Sequence, residues 1–172
     1  MAMVGLFWIA EGDVYVGSKP SGLAPGVRLT PEGVAGLGHK QEGLWLWDDV
    51  RGLTVEDVPV KSLRRQVGMV VDMALTVGLG GGEDAPSMTV CVETADGEAE
   101  LTAYVATAYG YSQREYDLSR ALLTRLTEGA ATMMTTLSAM AEWGRSHEGG
   151  SPRRYERERL LREWAGENAA RA

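Results

Sequence analysis

The stretch that decides the fold is YSQREYDLSRALLTRLTEGAATMMTTLSAM, residues 111–140. It opens with Ser112 and Glu115, which have the S-x-x-E spacing of a capping box. Tyr111 and Tyr116 occupy the two positions of a hydrophobic staple around that box. This combination is typical of a helix with a defined start, so we predict that a helix begins directly after Ser112.

Apolar residues continue from this start at helical spacing. On a wheel of about 100° per residue they stay on one side, and they keep their phase across Gly129. The stripe consists of Leu118, Leu122, Leu126, Met133, Leu137 and Met140. We therefore predict one continuous or slightly bent amphipathic helix that ends near Gly144 and packs its apolar side on a sheet.

The chain before this helix supplies the strands of that sheet. The clearest hairpin signal is Asp96-Gly97, between strand-like segments at 89–94 and 99–107. Further segments rich in strand-forming residues lie at 6–10, 14–17, 27–30, 34–37, 44–47 and 50–56. The predicted fold class is α+β: a curved antiparallel sheet, or a partly open barrel or sandwich, of about 6–8 short strands closed by the C-terminal amphipathic helix.

Two segments are additions to this plan. Residues 62–76 carry apolar residues at helical spacing and indicate an inserted helix, within an insertion of about 58–86. The main domain then covers residues 1–144. Residues 145–172 are predicted to be a linker and a charged amphipathic tail helix, with Ser151 as its N-cap.

Composition and charge restrict the kinds of partner. Cys91 is the single cysteine and residues 1–10 lack the basic region of a signal peptide, so we expect a cytoplasmic protein. The net charge is −7, and the six arginines and four glutamates of residues 151–172 give that tail +2, which leaves −9 for residues 1–150. An acidic body repels phosphate groups. We therefore expect neither nucleic acid nor an anionic membrane as a partner.

No segment has the pattern of a catalytic, metal or cofactor site. Glycine-rich residues 78–82 lack the lysine of a phosphate-binding loop, and His39 and His147 have no partner at metal-ligand spacing. Cys91 is expected to be an inert thiol in a strand. The acidic residues that could hold a hard cation fit no known loop spacing: Asp48, Asp49, Glu56 and Asp57. We expect no enzyme activity.

The tryptophans of residues 44–47 are candidates for an interaction surface. In a strand, Trp45 and Trp47 lie on one face, whereas Leu44 and Leu46 lie on the other. If the leucines face the core, the two tryptophans point outward and mark a surface for a partner or ligand. The alternative places the tryptophans in the core, and the sequence leaves both open.

The order of elements, short antiparallel strands followed by one capped helix, resembles the pleckstrin-homology-like (PH-like) fold in its small actinobacterial versions. Residues 44–53, LWLWDDVRGL, are similar to the strand–kink–strand segment of bacterial PH-like and GRAM-like proteins, and the closing hairpin leads into the helix after Ser112. The resemblance covers about residues 6–126 and implies a binding module. The inserted helix is a departure, and the first loop, 18–26, has only Lys19 where lipid-binding members carry a basic cluster.

These observations favour a non-catalytic interaction or scaffold module that binds a protein partner. The alternative is a carrier of a small apolar molecule or lipid, because methionine adapts to irregular cavities. Its cavity would be lined by Met69, Met73, Met133, Met134 and Met140.

The tail helix supplies a second candidate surface, formed by Leu160, Leu161 and Trp164. An isolated helix of about fourteen residues is marginal in water, so this face must pack on protein. The acceptor is either the chain's own body or a second copy. We predict packing on protein and favour a homodimer over docking within one chain.

Overall fold

The computed structural model describes residues 2–61 and 86–167, and the predicted helix at 62–76 lies outside them. Within the described ranges, nine strands form two antiparallel sheets and three helices follow, which confirms the α+β class. The first sheet holds β1 (Ala2–Val4), β2 (Phe7–Ala10), β3 (Asp13–Val16), β4 (Gly26–Leu29), β5 (Gly33–Leu37) and β6 (Gly43–Leu46). The second sheet holds β7 (Val50–Glu56), β8 (Ser87–Thr94) and β9 (Gly97–Tyr104).

The first sheet is a meander in which each strand pairs with the next one in the chain. Alternate residues point into the core, among them the fully buried Phe7, Val16, Val27 and Val34. Strand β1 is an addition to the predicted set. The sheet is open, and β1 and β6 are its two edges.

The second sheet contains the hairpin predicted around Asp96-Gly97. Thr94 lies opposite Gly97, whose φ of 139° is a conformation that side-chain-bearing residues rarely adopt. Gln41, in the turn between β5 and β6 of the first sheet, contacts the edge of β9 that does not pair with β8. Its side-chain amide exchanges two hydrogen bonds with the backbone of Thr102, each 2.9 Å long, and so joins the two sheets at this corner.

Helix α1 (Gln113–Leu126) begins where the capping box predicts. The Ser112 hydroxyl oxygen accepts a hydrogen bond from the backbone N–H of Glu115 at 3.1 Å. The same hydroxyl donates to the Glu115 carboxylate at 3.1 Å. The Ser112 half of the box is therefore formed, whereas the Glu115 carboxylate bonds to the Ser112 hydroxyl instead of its backbone N–H. The apolar stripe that follows is buried through Leu118, Leu122 and Leu126.

The prediction of one continuous helix across Gly129 is wrong. Helix α1 ends at Leu126, and α2 (Ala130–Ser146) starts after Gly129, which has a φ of 137°. Because glycine costs about 1 kcal/mol relative to alanine inside a helix, a break here loses little. The break lets α2 pack on β2 and β3 while α1 lies on β7, and the second half of the stripe is still buried through Met133, Leu137 and Met140.

The predicted tail helix is confirmed as α3 (Arg154–Ala165), but its start differs from the prediction. Arg153, not Ser151, holds the N-cap position, and it makes no side-chain hydrogen bond to the helix. The Ser151 hydroxyl instead accepts a hydrogen bond from the N–H of Met3 at 2.8 Å. The tail is thus tied to β1 before the helix begins.

Candidate functional site

The tail face, defined as Leu160, Leu161 and Trp164, is buried in this chain, with each residue 6% exposed or less. Helix α3 packs on α1 and β1, and Trp164 meets the ring of Trp143 edge-on at 5.8 Å between centroids. The acceptor is the chain's own body, formed mainly by α1 with the additional strand β1 beside it. These three side chains are covered and do not form an exposed interaction surface, which corrects that assignment. The homodimer stays a prediction.

A buried ion pair fixes the tail face in place. The guanidinium of Arg157 donates to the two carboxylate oxygens of Glu115 at 2.5 and 3.3 Å and to the carbonyl of Pro152 at 2.7 Å. The side chains of Glu115 and Arg157 are only 4% and 17% exposed. Glu115 therefore has two roles, since the carboxylate that completes the cap of α1 also holds α3.

Trp45 and Trp47 belong to the inner side of the first sheet and are half-buried against the core. The ring of Trp45 packs over Gly36, and the indole N–H of Trp47 donates to the carbonyl of Thr30 at 2.7 Å. Of the two arrangements left open by the sequence, the structure shows the tryptophans on the core side. The exposed pair on this strand is Leu44 and Leu46, at 52% and 47% exposure.

We call the strand Gly43–Leu46 with these two exposed leucines the β6 edge. In the β4–β5 turn, the N–H and the carbonyl of Gly33 both bond to Thr30, so they point away from β6. Backbone groups alternate in direction along an antiparallel strand, so the next residue, Val34, faces β6, where Trp45 is its partner. The same alternation directs the backbone groups of Leu44 and Leu46 to the open side.

The open side of the β6 edge keeps hydrogen-bonding capacity. Within residues 2–61 and 86–167, no turn, loop or side-chain hydrogen bond reaches the backbone of Leu44. The carbonyl of Leu46 accepts one bond, from the N–H of Asp49 at 2.9 Å. Within the described part of the chain, the amide and carbonyl of Leu44 therefore have no partner on the open side and are available to a further strand.

The charges around the β6 edge are mostly negative. Glu42 precedes the strand, Asp48 and Asp49 follow it, and Glu32 lies beside its end, since the Glu32 carbonyl accepts a hydrogen bond from the N–H of Trp47. All four acidic side chains belong to exposed residues, and none forms an ion pair within the described part of the chain. The exposed cations nearest in sequence are Lys40, two residues before Glu42, and Arg51, two residues after Asp49.

The β6 edge also terminates a row of side chains that crosses the first sheet on the face opposite Phe7 and Val16, and exposure in this row ranges from 52% at Leu44 to 6% at the buried Tyr15. Cross-strand pairing aligns one residue from each strand in turn. Five of the six side chains present apolar or aromatic groups, and the sixth is arginine: Met3, Trp8, Tyr15, Arg28, Ala35 and Leu44. A strand added at β6 would continue this row.

The predicted methionine cavity is not formed by the described residues. Met133 and Met140 are buried in the core, whereas Met134 is 44% exposed. Met134 lines an open cleft of about 290 Å³ between α2 and the turns of the first sheet, together with Leu137 and Arg145. The other two methionines of the prediction lie outside the described ranges.

Cys91 lies on the outer face of the second sheet, and neighbouring groups cover it to 4% exposure. Its sulfur and the carboxylates of Glu98 and Glu100 lie within 4.8 Å of one another. Burial, and then the negative charges of Glu56 and Glu98, raise the pKa of the thiol above its ordinary value. A raised pKa disfavours the thiolate that nucleophilic attack and metal binding require, which agrees with an inert cysteine.

Comparisons with protein-family models, with curated proteins and with solved structures found no match to this chain. Among the described residues, no helix combines the length and the apolar character needed to cross a membrane. The functional argument therefore depends on the geometry of the chain itself. Sequence reasoning singled out the strand 44–47 and left open which of its faces is exposed, and the structure exposes Leu44 and Leu46.

Proposed function

We propose that this chain is a non-catalytic protein-interaction module, and that it binds an extended segment of a partner as an added strand at the β6 edge. The observation that supports this best is the combination of two exposed leucines on one strand with backbone groups at Leu44 that no residue of 2–61 or 86–167 bonds on the open side. Strand addition uses main-chain hydrogen bonds for affinity and alternate side chains for specificity.

The energetic argument compares the free and the occupied edge. A net contribution of about 0.5–1.5 kcal/mol for each hydrogen bond, together with about 25 cal/mol per Å² of covered leucine surface, favours a bound strand. The costs are the ordering of the segment and its loss of free motion. A short edge of four residues therefore predicts weak to moderate affinity, which suits a reversible interaction module.

The PH-like assignment is part of this proposal. Its support is the order of two antiparallel sheets before a capped helix, with β6, the Asp48-Asp49 turn and β7 over residues 44–53. Because PH-like proteins are binding modules, the assignment agrees with an interaction function. A cytoplasmic location, and partners other than nucleic acid or anionic membranes, belong to the same proposal.

Site-specific photo-cross-linking tests the function. A photoreactive residue at position 44 should cross-link to a partner in the cells that produce the protein. The same residue at position 23 is the matched control, because Leu23 is an exposed leucine (78%) in a loop. Equal cross-linking from both positions, or none from position 44, would contradict strand addition at this edge.

The carrier remains the second candidate, supported by the open cleft beside Met134 and Arg145. Its volume of about 290 Å³ is at the low end of ligand pockets. Native mass spectrometry of freshly purified protein distinguishes the two functions. A co-purified small molecule that Arg145→Ala removes would favour the carrier.

A further inference from the structure

We infer that the segment bound at the β6 edge is a basic one, an extended stretch in which apolar residues alternate with lysine or arginine. This inference rests on the proposed function and adds the chemistry of the partner. Its evidence is the negative charge around the β6 edge. That charge is independent of the backbone hydrogen-bonding groups on which the proposed function is based.

The ends of β6 attract cations. Glu42 lies before the strand and Asp48 and Asp49 lie after it, and all three belong to exposed residues. A segment that pairs along the strand passes between these carboxylates, so lysine or arginine near its ends gains ion pairs that an acidic segment cannot make. Lys40 opposes this attraction where β6 begins and the exposed Arg51 opposes it after Asp49, but the second end has two carboxylates against one cation. The cations should therefore be concentrated near the Asp48-Asp49 end.

In the symmetric register centred on Trp45, the same charges disfavour a second copy of this chain at the edge. Antiparallel pairing of two β6 strands, centred on Trp45, would bring Glu42 of each copy opposite Asp48 of the other. Like charges directly opposite each other destabilise a strand pair. The net charge of −9 over residues 1–150 adds a long-range repulsion between copies. A basic segment of another protein meets neither obstacle.

The apolar residues of the segment have a defined position. Leu44 and Leu46 point to the outer face, where Leu44 continues the row that includes Ala35 and Arg28. Residues of the segment that lie directly opposite the two leucines should be apolar and two positions apart, because side chains alternate along a strand. The residue between them points to the other side of the sheet, near the half-buried Trp45, where a lysine or arginine can contact an aromatic ring.

Model peptides test the inference on the full chain. The probe is a blocked peptide of about eight residues with alternating valine and lysine, and its counterpart replaces each lysine with glutamate. A third peptide keeps the valine–lysine sequence but has a methyl group on every backbone nitrogen, which prevents it from donating strand hydrogen bonds. Amide NMR spectra of the protein report binding at Leu44 and Leu46 directly.

From the shifts of these amides, we expect the lysine peptide to have a dissociation constant at least about tenfold lower than that of the glutamate peptide. A few exposed ion pairs are enough for a difference of this size. The difference should shrink in about 1 M salt, where the screening length is about 3 Å. The methylated peptide should not bind. Equal binding of the lysine and glutamate peptides at β6 would overturn the basic segment while leaving strand addition intact. No shift with either peptide, or equal binding of the methylated one, would overturn both.

Matched charge variants locate the effect on the protein. The triple variant Glu42→Gln, Asp48→Asn and Asp49→Asn should weaken the lysine peptide about tenfold, since it removes the three carboxylates that bracket the strand. A control triple variant on the second sheet removes the same charge away from β6: Glu93→Gln, Glu98→Gln and Glu100→Gln. If both triple variants weaken binding equally, the attraction comes from overall charge and the local inference is wrong.

Discussion

The tail face and the β6 edge are both short apolar surfaces next to charged residues, yet one is buried and the other is open. Leu161 of the tail face is fully buried, whereas Leu44 of the β6 edge is 52% exposed. A helix satisfies its own backbone, so covering its apolar face is enough to dock it. An edge strand satisfies only half of its backbone, and a further strand is needed to satisfy the rest.

The tail face is covered because the two ends of the chain meet. Met3 bonds to Ser151, and the N–H of Leu6 donates to the buried hydroxyl of Ser119 on α1 at 3.1 Å. Gly5 lies so close to Ser119 and to the Leu161 side chain that a Cβ there would collide with both. No described element makes a comparable contact along the outer side of β6.

The largest expected effect concerns the ion pair that holds the tail face. The variant Arg157→Met should lower the free energy of unfolding by about 3–5 kcal/mol, because it leaves the Glu115 carboxylate buried without its counter-charge. Adding Glu115→Gln should recover a large part of this loss. Denaturant unfolding curves measure both.

The control for this ion pair is Arg159→Met, since Arg159 and Glu163 form an ion pair whose side chains are 51% and 59% exposed. Exposed pairs contribute about 0–1 kcal/mol. Equal losses from Arg157→Met and Arg159→Met would show that the tail face is not fixed by the buried pair.

The buried side chain of Tyr111, which directly precedes the N-cap of α1, leads us to expect a loss of stability at high pH. Burial raises its pKa to about 12, from an ordinary value of about 10. Because the folded state holds the proton more tightly, this contribution is complete below pH 10 and is lost as the pH rises towards 12. Relative to Tyr111→Phe, the wild-type protein should lose up to about 3 kcal/mol over this range. Parallel pH dependences of the two proteins in denaturant unfolding would contradict the burial of this hydroxyl.

The capping box predicts a smaller effect. Ser112→Ala removes the acceptor for the N–H of Glu115 and should cost about 1 kcal/mol. Ser138→Ala is the control, because Ser138 is an exposed residue in the interior of α2, and it should change stability by less than about 0.5 kcal/mol. If thermal unfolding shifts equally for both variants, the box does not determine where α1 begins.

Local signals in the sequence predicted the local structure. The turn at Asp96-Gly97 and the capping box at Ser112 each depend on a few adjacent residues, and both hairpin and helix start are confirmed. The break at Gly129 was not predicted, because the apolar residues keep the same helical spacing before and after the glycine. That spacing is the same for one continuous helix and for two separate helices. Strand β1 has only three residues, and its bond to Ser151, like the bond of the following Leu6 to Ser119, involves a distant part of the chain.

The candidate site shows the same limit. Alternation separates Trp45 from Leu44, but it does not say which of them faces the core. The small residue Gly36 decides this, because it leaves room for the Trp45 ring on the neighbouring strand. A glycine diagonally across from a large aromatic residue on the neighbouring strand is a signal that could have placed Trp45 inside.

The smallest expected effect on stability is at the β6 edge, and it completes the comparison with the tail face. Leu44→Thr keeps a good strand former at an exposed edge position, so the free energy of unfolding should change by about 0.5 kcal/mol or less. The control is Val34→Thr on the adjacent strand, which keeps the shape of a fully buried residue but adds a hydroxyl. It should cost about 1–3 kcal/mol, because the hydroxyl enters the core.

Leu44→Thr should nevertheless weaken binding of the lysine peptide, since the apolar contact at the edge is lost. A Leu44→Thr loss as large as that of Val34→Thr would mean that Leu44 contributes to the core, and the β6 edge would then be part of the fold and not a surface kept for a partner.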